Sequence, residues 1–189
     1  METKDRFDLT DSLLNKYKGR PKTIGRYAVS DVWAIEKGYL TLRKFLEGQT
    51  NDFESCFRMW EGRRKHEQCQ ELLEGYEIEK KVEYKHNDWL LVGKADAINS
   101  LTNEGLEIKT SDKLLDKAKS WHEYQAKIYC SMFQVPIFYI VQPRIKENRI
   151  ILKVLAEIER DDKWFEKKLK VIDKFHQELY GYTEIFGTN

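Results

Sequence analysis

Cysteine is scarce in this chain, and the spacing of the few cysteines excludes most chemistry that needs several thiols. The three cysteines are Cys56, Cys69 and Cys130. They stand at no zinc-ligand spacing, and an odd, low count is typical of a reducing compartment rather than of a disulfide-stapled secreted protein. We therefore expect reduced side chains that pack in or near the core.

Long apolar runs and an excess of one charge are also missing. No window is apolar enough to span a membrane, and the N-terminal METKDRFDLT lacks the apolar stretch of a signal peptide. The 33 Lys and Arg nearly balance the 32 Asp and Glu, so no global basic field would draw the chain to nucleic acid. These absences predict a cytoplasmic protein that contacts no membrane and would bind a polyanion only through local patches.

Two strand-like segments in the middle of the chain bring acidic side chains together. Residues 89–100 and 104–111 are apolar-rich and are separated by a short polar turn. If they pair as a hairpin about that turn, Asp96 lies opposite Glu107. Opposed carboxylates repel each other, so the pattern indicates a divalent cation between them.

The same hairpin sets Lys94 opposite Lys109. Side chains two apart on a strand share a face, so both lysines project with Asp96 and Glu107. The alternative is an exposed hairpin face that merely alternates charges. The neighbouring segments favour the cation site.

Helical segments on both sides of the hairpin carry further polar residues. Downstream, YQAKIYC places Gln125 and Tyr129 at i and i+4 on one helix face. Ser111 or Asp112 is the candidate N-cap of that helix. Upstream, EGRRKHEQCQELL has a helical pattern and carries His66.

The ordered set resembles the RecB-like branch of the PD-(D/E)XK nuclease superfamily, in which a helical His, GxxD, ExK and QxxxY follow one another. That branch includes the nuclease domains of RecB and AddAB helicase–nucleases and the CRISPR-associated RecB-like adaptation nucleases. The resemblance covers about residues 27–160. The residues that carry it are His66, Asp96, Glu107, Lys109, Gln125 and Tyr129.

The resemblance implies a site chemistry. Asp96 and Glu107 would bind Mg²⁺ or Mn²⁺, the backbone carbonyl of Ile108 would add an oxygen ligand, and His66 would add a nitrogen that favours Mn²⁺. Lys109 would orient the attacking water or neutralise the phosphate. Gln125 and Tyr129 would brace the site.

Many RecB-like nucleases also carry four cysteines that bind an iron–sulfur cluster. Here no cysteine follows Cys130, and none stands in residues 27–48, where the first would be expected. Because such clusters are held by four thiolates, we expect no cluster.

The element pattern predicts one nuclease domain over residues 1–189 with a restriction-endonuclease-like α/β fold, a mixed sheet flanked by helices. A helical N-terminal part over about 1–75 precedes a core over about 76–160 and a helix over about 160–182. Within these parts, helices are expected at 7–18, 29–48, 52–74 and 112–133, and strands at 76–85, 89–98, 104–110, 137–143 and 149–158.

Basic residues near the motifs are candidate phosphate contacts, because strand binding needs cations near the metal. Their alternative role is a solvated surface. The candidates are Arg63, Arg64, Lys94, Lys113 and Lys117. Among the aromatic residues, Trp33, Trp60 and Tyr124 could stack on single-stranded bases, or they could lie in the core.

Three functions are therefore open. The first is a metal-dependent DNA exonuclease that acts on ends or single strands in replication, recombination or repair. The second is a structure-specific or restriction-like endonuclease of the same superfamily. The third is a non-catalytic nucleic-acid-binding scaffold. A homo-oligomer or a helicase or recombination partner would fit the first.

Overall fold

The computed structural model describes residues 8–111 and 113–186. Within these ranges, six helices and six strands follow one another in the order α1 β1 α2 α3 α4 β2 β3 β4 α5 β5 β6 α6. The helices are α1 Thr10–Lys16, α2 Val29–Glu36, α3 Leu42–Glu47, α4 Phe53–Gln70, α5 Ser120–Phe133 and α6 Asp162–Phe186. The strands are β1 Arg26–Ala28, β2 Glu77–His86, β3 Trp89–Asn99, β4 Glu104–Ile108, β5 Ile137–Lys146 and β6 Arg149–Glu159.

The strands form one six-stranded mixed sheet. β2 pairs antiparallel with β3 along nearly its whole length, β4 runs parallel to β5, and β5 pairs antiparallel with β6. Helices flank this sheet, so the predicted α/β fold with a mixed, helix-flanked sheet is confirmed.

The second edge of β3 is shared by two strands. β1 runs parallel beside Leu90–Val92, and β4 runs antiparallel beside Ala97–Asn99. Between these two pairings, a short stretch of β3 that includes Lys94 and Asp96 is paired with neither strand on this edge. The candidate site lies beside this opening.

Two clusters of buried apolar side chains cover the sheet. The larger joins α2, α3, α5 and α6 to the strands and includes Tyr27, Trp89, Phe138 and Ile172. The smaller packs Cys69 of α4 on β3, β4 and β5. All three cysteines are free and buried. In the described part of the chain, no helix is both long enough and apolar enough to cross a membrane.

The sequence predicts a single helix over residues 29–48 with Gly38 as a candidate kink; this is wrong, because the segment forms α2 and α3 with a full break between them. Gly38 sits in the break with φ = 73°, a left-handed conformation that ends a helix and suits glycine. Thr41 then caps α3 by accepting a hydrogen bond from the Lys44 amide. The strand β1 was not predicted.

The helix predicted over residues 112–133 begins only at Ser120, with Lys119 at its N-cap. The buried side chain of Gln142 explains the shift. Its oxygen accepts a bond from the Leu115 amide at 2.9 Å, and its Nε2 donates to the Lys113 carbonyl at 2.9 Å. These bonds hold the segment in an irregular conformation. Ser111 is therefore not the N-cap, and Asp112 lies outside the described residues.

Candidate active site

Helix α4 presents His66 to the central strand. The helix begins behind Asp52, whose carboxylate accepts a bond from the Ser55 amide at 2.7 Å. His66 and Gln70 share one face four residues apart. His66 Nε2 lies 2.9 Å from Asp96 Oδ2, and Gln70 Nε2 donates to the Asp96 carbonyl at 2.9 Å. Two side chains of α4 therefore position Asp96.

The predicted hairpin register is present. β3 and β4 pair Ala97 with Leu106 and Ile98 with Gly105, and the same register continued brings Asp96 level with Glu107. The Ile108 amide donates to Asp96 Oδ2 at 2.6 Å, which ties the two strands together at the site. The expected match of Lys94 with Lys109 is wrong, because β4 ends at Ile108 and the next amide bonds to β5 instead.

Glu107 is buried, being only 3% exposed, although it carries a carboxylate. Lys109 Nζ lies 2.5 Å from its Oε1, while Oε2 has no hydrogen-bond partner. Burial and the charge of Asp96 raise the pKa of Glu107 to about 7, against the lowering effects of Lys109 and His66. A buried carboxylate oxygen without a partner is costly, so it points to a ligand that would satisfy it.

Glu79 is a site residue that was not predicted. Its carboxylate, His66 and Asp96 form a group whose ligand atoms all lie within 4.8 Å of one another. Lys94 forms an ion pair with Glu79. The Glu79 backbone has φ = 56° inside β2, which costs a non-glycine residue about 1 to 2 kcal/mol. Such strain clusters at functional sites.

The position of Glu79 opposite Asp96 could have been inferred from the turn that joins β2 to β3. His86 pairs with Trp89 across the two residues Asn87 and Asp88, a hairpin loop of the shortest common type. Counting back from that turn brings Glu79 opposite Asp96. The candidate set therefore gains a third acidic side chain from a strand that was itself expected.

Gln125 and Tyr129 brace the strand that carries Asp96. The Tyr129 hydroxyl donates to the Lys94 carbonyl at 3.0 Å and accepts from the Lys94 amide at 3.2 Å. Gln125 Nε2 donates to the same hydroxyl at 3.3 Å. Tyr129 thus satisfies backbone groups at the opening that β1 and β4 leave beside β3.

The glycine of the GxxD pattern follows from this arrangement. A Cβ atom at Gly93 would lie 2.5 Å from Tyr129 Cε1, which is closer than real Cβ contacts come. The Tyr129 ring can therefore lie against β3 only because Gly93 has no side chain. This explains physically why GxxD and QxxxY belong to one pattern. Burial raises the pKa of Tyr129 to about 12, so its hydroxyl keeps its proton.

These groups face an open cleft of about 740 Å³. Arg63 is at its lining, as expected, and Arg58 joins it unpredicted. The other expected phosphate contacts do not line the cleft: Arg64 lies over the Trp60 ring, Lys94 pairs with Glu79, and Lys113 and Lys117 are exposed before α5.

His122 also lines the cleft. It matches no motif in the sequence, but its position one turn before Gln125 allowed a place at the rim of the site. Burial, with the charges of Lys109 and Lys119, lowers the pKa of His122 to about 3. It is therefore a neutral imidazole at every ordinary pH, and its Nδ1 is buried without a partner.

The donor set fits a hard divalent cation. Carboxylates of Asp96, Glu79 and Glu107 supply oxygen, and His66 supplies nitrogen, a mixture that suits Mn²⁺ as well as Mg²⁺. The unpartnered Glu107 oxygen supports this fit. The geometry departs from the expectation in one respect, since Glu107 is held by Lys109 and stands outside the close group that Glu79 joins.

The chain matches no protein-family model and no curated protein sequence. Its fold does match solved structures. LHK-Exo, an alkaline exonuclease from Laribacter hongkongensis, is 13% identical with a TM-score of 0.62, covering 94% of this chain and 96% of that one. A structure of LHK-Exo in complex with dAMP gives 14% identity and a TM-score of 0.63, over 86% and 92%.

Two further structures are similar. SSO0001 is 21% identical with a TM-score of 0.59, covering 87% of this chain and 83% of that one. A phage-related exonuclease from Haemophilus somnus 129PT is 13% identical with a TM-score of 0.54, over 90% and 99%. The chain has the fold of these solved structures. At such low identity the likeness concerns the fold, and the activity has to be argued from the site.

Proposed function

We propose that the chain is a metal-dependent DNA nuclease of the RecB-like branch of the PD-(D/E)XK superfamily. It would act as an exonuclease on DNA ends or single strands during replication, recombination or repair. One observation carries the proposal. His66 and Asp96 lie 2.9 Å apart in the cleft that also holds the buried, half-partnered carboxylate of Glu107 and its neighbour Lys109.

The ion would be Mg²⁺ or Mn²⁺, held by Asp96, Glu107, His66 and the Ile108 carbonyl, with Glu79 as an added ligand. When bound, it would supply an activated water and stabilise charge on the phosphate. The neutral form of His66 would be the ligand, and its bond to Asp96 would give way to the cation.

Lys109 has two roles in this proposal. Without a cation it neutralises Glu107, which would otherwise be a buried charge with no counter-charge beside it. With Glu107 engaged as a ligand, the Lys109 ammonium group would be free to face the cleft. There it would orient the attacking water or offset the phosphate charge as a point charge.

DNA is the substrate best supported, because the neighbours include exonucleases and one of them binds dAMP. Arg58 and Arg63 line the cleft and would contact phosphates there. Since the net charge is only +1, we expect modest affinity that weakens between low and physiological salt. We place the activity in the cytoplasm, with a helicase, a recombination protein or a second copy as the partner.

The test uses end-labelled single- and double-stranded DNA, each incubated with Mg²⁺, Mn²⁺ or EDTA. We expect degradation only with a divalent cation, and faster loss of linear strands than of covalently closed circles of equal length. Loss of both at equal rates would favour an endonuclease. Binding of both without cleavage under any metal would favour the scaffold. Asp96→Ala is the control for contaminating nuclease.

A further inference from the structure

A second cavity adjoins the catalytic cleft and has aromatic walls. It has a volume of about 470 Å³ and lies between α2 and α5. Its walls include Trp33, Tyr39, Trp121 and Tyr124, and Gln125 forms part of its lining. The catalytic scheme above uses only the last of these residues.

The rings of this cavity are arranged around an open space and do not fill a core. Trp33 and Tyr39 stack with centroids 5.1 Å apart at 27°, and Trp121 lies 5.9 Å from Trp33 at 51°. Tyr39 is 61% exposed and Trp121 is 41% exposed. Large aromatic side chains that stay this exposed, and lie together, indicate a binding surface.

The cavity borders the catalytic cleft. Trp121 lines both of them, so its indole forms the wall that they share. Trp121, Gln125 and Tyr129 follow at intervals of four on α5 and therefore form one stripe along the helix. The stripe runs from the aromatic cavity to the backbone of Lys94, two residues before Asp96.

The shared wall also carries positive charge. Lys119 Nζ lies 4.6 Å from the centre of the Trp121 ring, and Lys109 lies in the cleft beyond that ring. A strand that passes from the cleft to the cavity would therefore meet a cation beside an aromatic face. Phosphate next to a flat base is the ligand chemistry that fits this pair.

We propose that this cavity binds one unpaired nucleobase of the DNA strand, on the nucleotide next to the phosphate that is cut. The base would stack on the Trp33 and Trp121 rings while Lys119 faces its phosphate. Because every base has a flat face, such a site is tolerant of sequence and selects single strands over duplex. The inference rests on the proposed nuclease function and names how the strand is held.

Binding is measured first, in EDTA, so that no cleavage is needed. The probe is a fluorescently labelled 12-residue thymidine oligonucleotide, and its anisotropy is followed with the wild type, Trp33→Leu and Trp33→Phe. Trp33 lines the cavity and is absent from the cleft lining, so its loss leaves the proposed ligands in place. We expect Trp33→Leu to raise Kd roughly 5- to 100-fold, and Trp33→Phe to restore most of the affinity.

Phe57→Leu is the matched control. Phe57 is also an exposed aromatic residue in a stack, between Phe53 and Trp60, but it lines a different groove, formed by α1 and α4. Its Kd should stay within about twofold of the wild type. Thermal melts of all variants show whether any change in affinity comes from unfolding.

A second measurement changes the DNA strand as well as the protein. A linear strand with a single abasic residue is degraded by the wild-type protein in Mn²⁺. We expect a pause where the abasic residue reaches the cavity, with about tenfold slower cleavage of the neighbouring phosphate and normal rates elsewhere. In Trp33→Leu the pause should vanish, because the base and the ring would then no longer act as a pair.

The outcomes separate this inference from the proposed function. Normal cleavage without a pause, together with unchanged affinity in Trp33→Leu, overturns the base site and leaves the nuclease intact. Base-dependent binding without cleavage under any metal overturns the nuclease and leaves the base site. If Trp33→Leu alters the sedimentation coefficient but not strand affinity, the cavity is an interface between copies and the inference is wrong.

Discussion

The two ends of strand β3 lie in regions of opposite character. At its start, Trp89 packs with Tyr27 in the larger apolar cluster, and the Trp89 ring nitrogen and the Tyr27 hydroxyl each have a partner. Trp89 Nε1 donates to Asp173 at 2.8 Å, and the Tyr27 hydroxyl lies 2.6 Å from His176 Nδ1. Seven residues further along the strand, Asp96 stands beside an open cleft where Glu107 Oε2 and His122 Nδ1 are buried without partners.

The difference shows how one strand serves stability and function. Satisfied polar atoms in an apolar cluster stabilise the fold. Unsatisfied ones, together with a left-handed backbone at Glu79, cost stability at the other end. That cost is expected where groups are held ready for a ligand. Substitutions at the two ends should therefore have different effects: those near Trp89 should change mainly stability, and those near Asp96 should change mainly activity.

The largest expected effect is that of Asp96→Ala on cleavage. Removing the carboxylate that contacts both His66 and β4 should lower kcat by on the order of 10³-fold or more and abolish Mn²⁺ binding. Asp173→Ala, which breaks the Trp89 bond at the other end, should lower the melting temperature and leave kcat within about twofold. Cleavage assays measure kcat, calorimetric titration measures Mn²⁺ binding, and thermal melts measure the melting temperature. Equal losses of kcat in both variants would show that the two ends of the strand do not differ in this way.

Lys109→Ala should have the next largest effect. Cleavage should fall by about 10² to 10³-fold, because a charge near the reacting phosphate is lost. Mn²⁺ affinity should stay the same or rise, since Lys109 competes with the cation for Glu107. Metal titration of the variant is the decisive measurement. A large loss of metal affinity would mean that Lys109 builds the site and does not take part in the reaction.

Tyr129→Phe and Tyr27→Phe form a matched pair on the two ends of the strand. Each removes one buried hydroxyl and leaves a partner unsatisfied, so each should cost about 1 to 3 kcal/mol of unfolding free energy. Only Tyr129→Phe should also lower kcat, by about tenfold, because the backbone before Asp96 loses its anchor. Urea unfolding and single-turnover cleavage test this. A similar drop in kcat for Tyr27→Phe would contradict it.

The stability of the metal-free protein should depend on pH through the ionisation of Glu107. The folded-state pKa of about 7 lies above the ordinary value of 4.5, so the folded protein holds this proton longer than the unfolded chain. The proton on Glu107 therefore contributes to the stability of the folded protein. This contribution is fully present below about pH 4.5 and is lost as the pH rises through about 7. Without metal, the free energy of unfolding should thus fall by on the order of 3 kcal/mol across this window.

Glu107→Gln provides the comparison for this titration, because it removes the ionisable group and keeps the shape. Urea unfolding in EDTA at a series of pH values should give a shallower slope for the variant than for the wild type. Identical slopes would show that the pKa of Glu107 in the folded protein is the same as in the unfolded chain.

The smallest effect concerns the backbone of Glu79. Glu79→Gly and Glu79→Ala both remove the carboxylate and should weaken Mn²⁺ binding about equally, by roughly tenfold. Glycine tolerates φ = 56°, so the glycine variant should be about 1 kcal/mol more stable than the alanine variant. Equal stabilities would mean that the left-handed conformation is not held in solution.

The motif residues were predictable from the sequence because they follow local periodicity. Alternation along two strands set Asp96 level with Glu107, and helical spacing put Gln125 beside Tyr129. The structure agrees with both placements. Their roles as ligands and catalytic groups remain predictions.

The sequence-based predictions failed where contacts between residues distant in the sequence determine the local structure. Residues 113–119 read as helix, but Gln142 from β5 binds their backbone and prevents it. The basic residues near the motifs were expected to face the strand, yet of that set only Arg63 lines the cleft. A residue's neighbours in sequence do not reveal which strand edge or helix will reach it.

By itself, the sequence determined the class of fold, the order of its motifs and the faces on which Asp96, Glu107, Gln125 and Tyr129 lie, because these depend on the regular geometry of strands and helices. Only the tertiary structure decided that Glu79 joins His66 and Asp96, that Tyr129 needs Gly93, and that Trp33 meets Trp121. These depend on how separate elements pack, and packing is set by the whole chain.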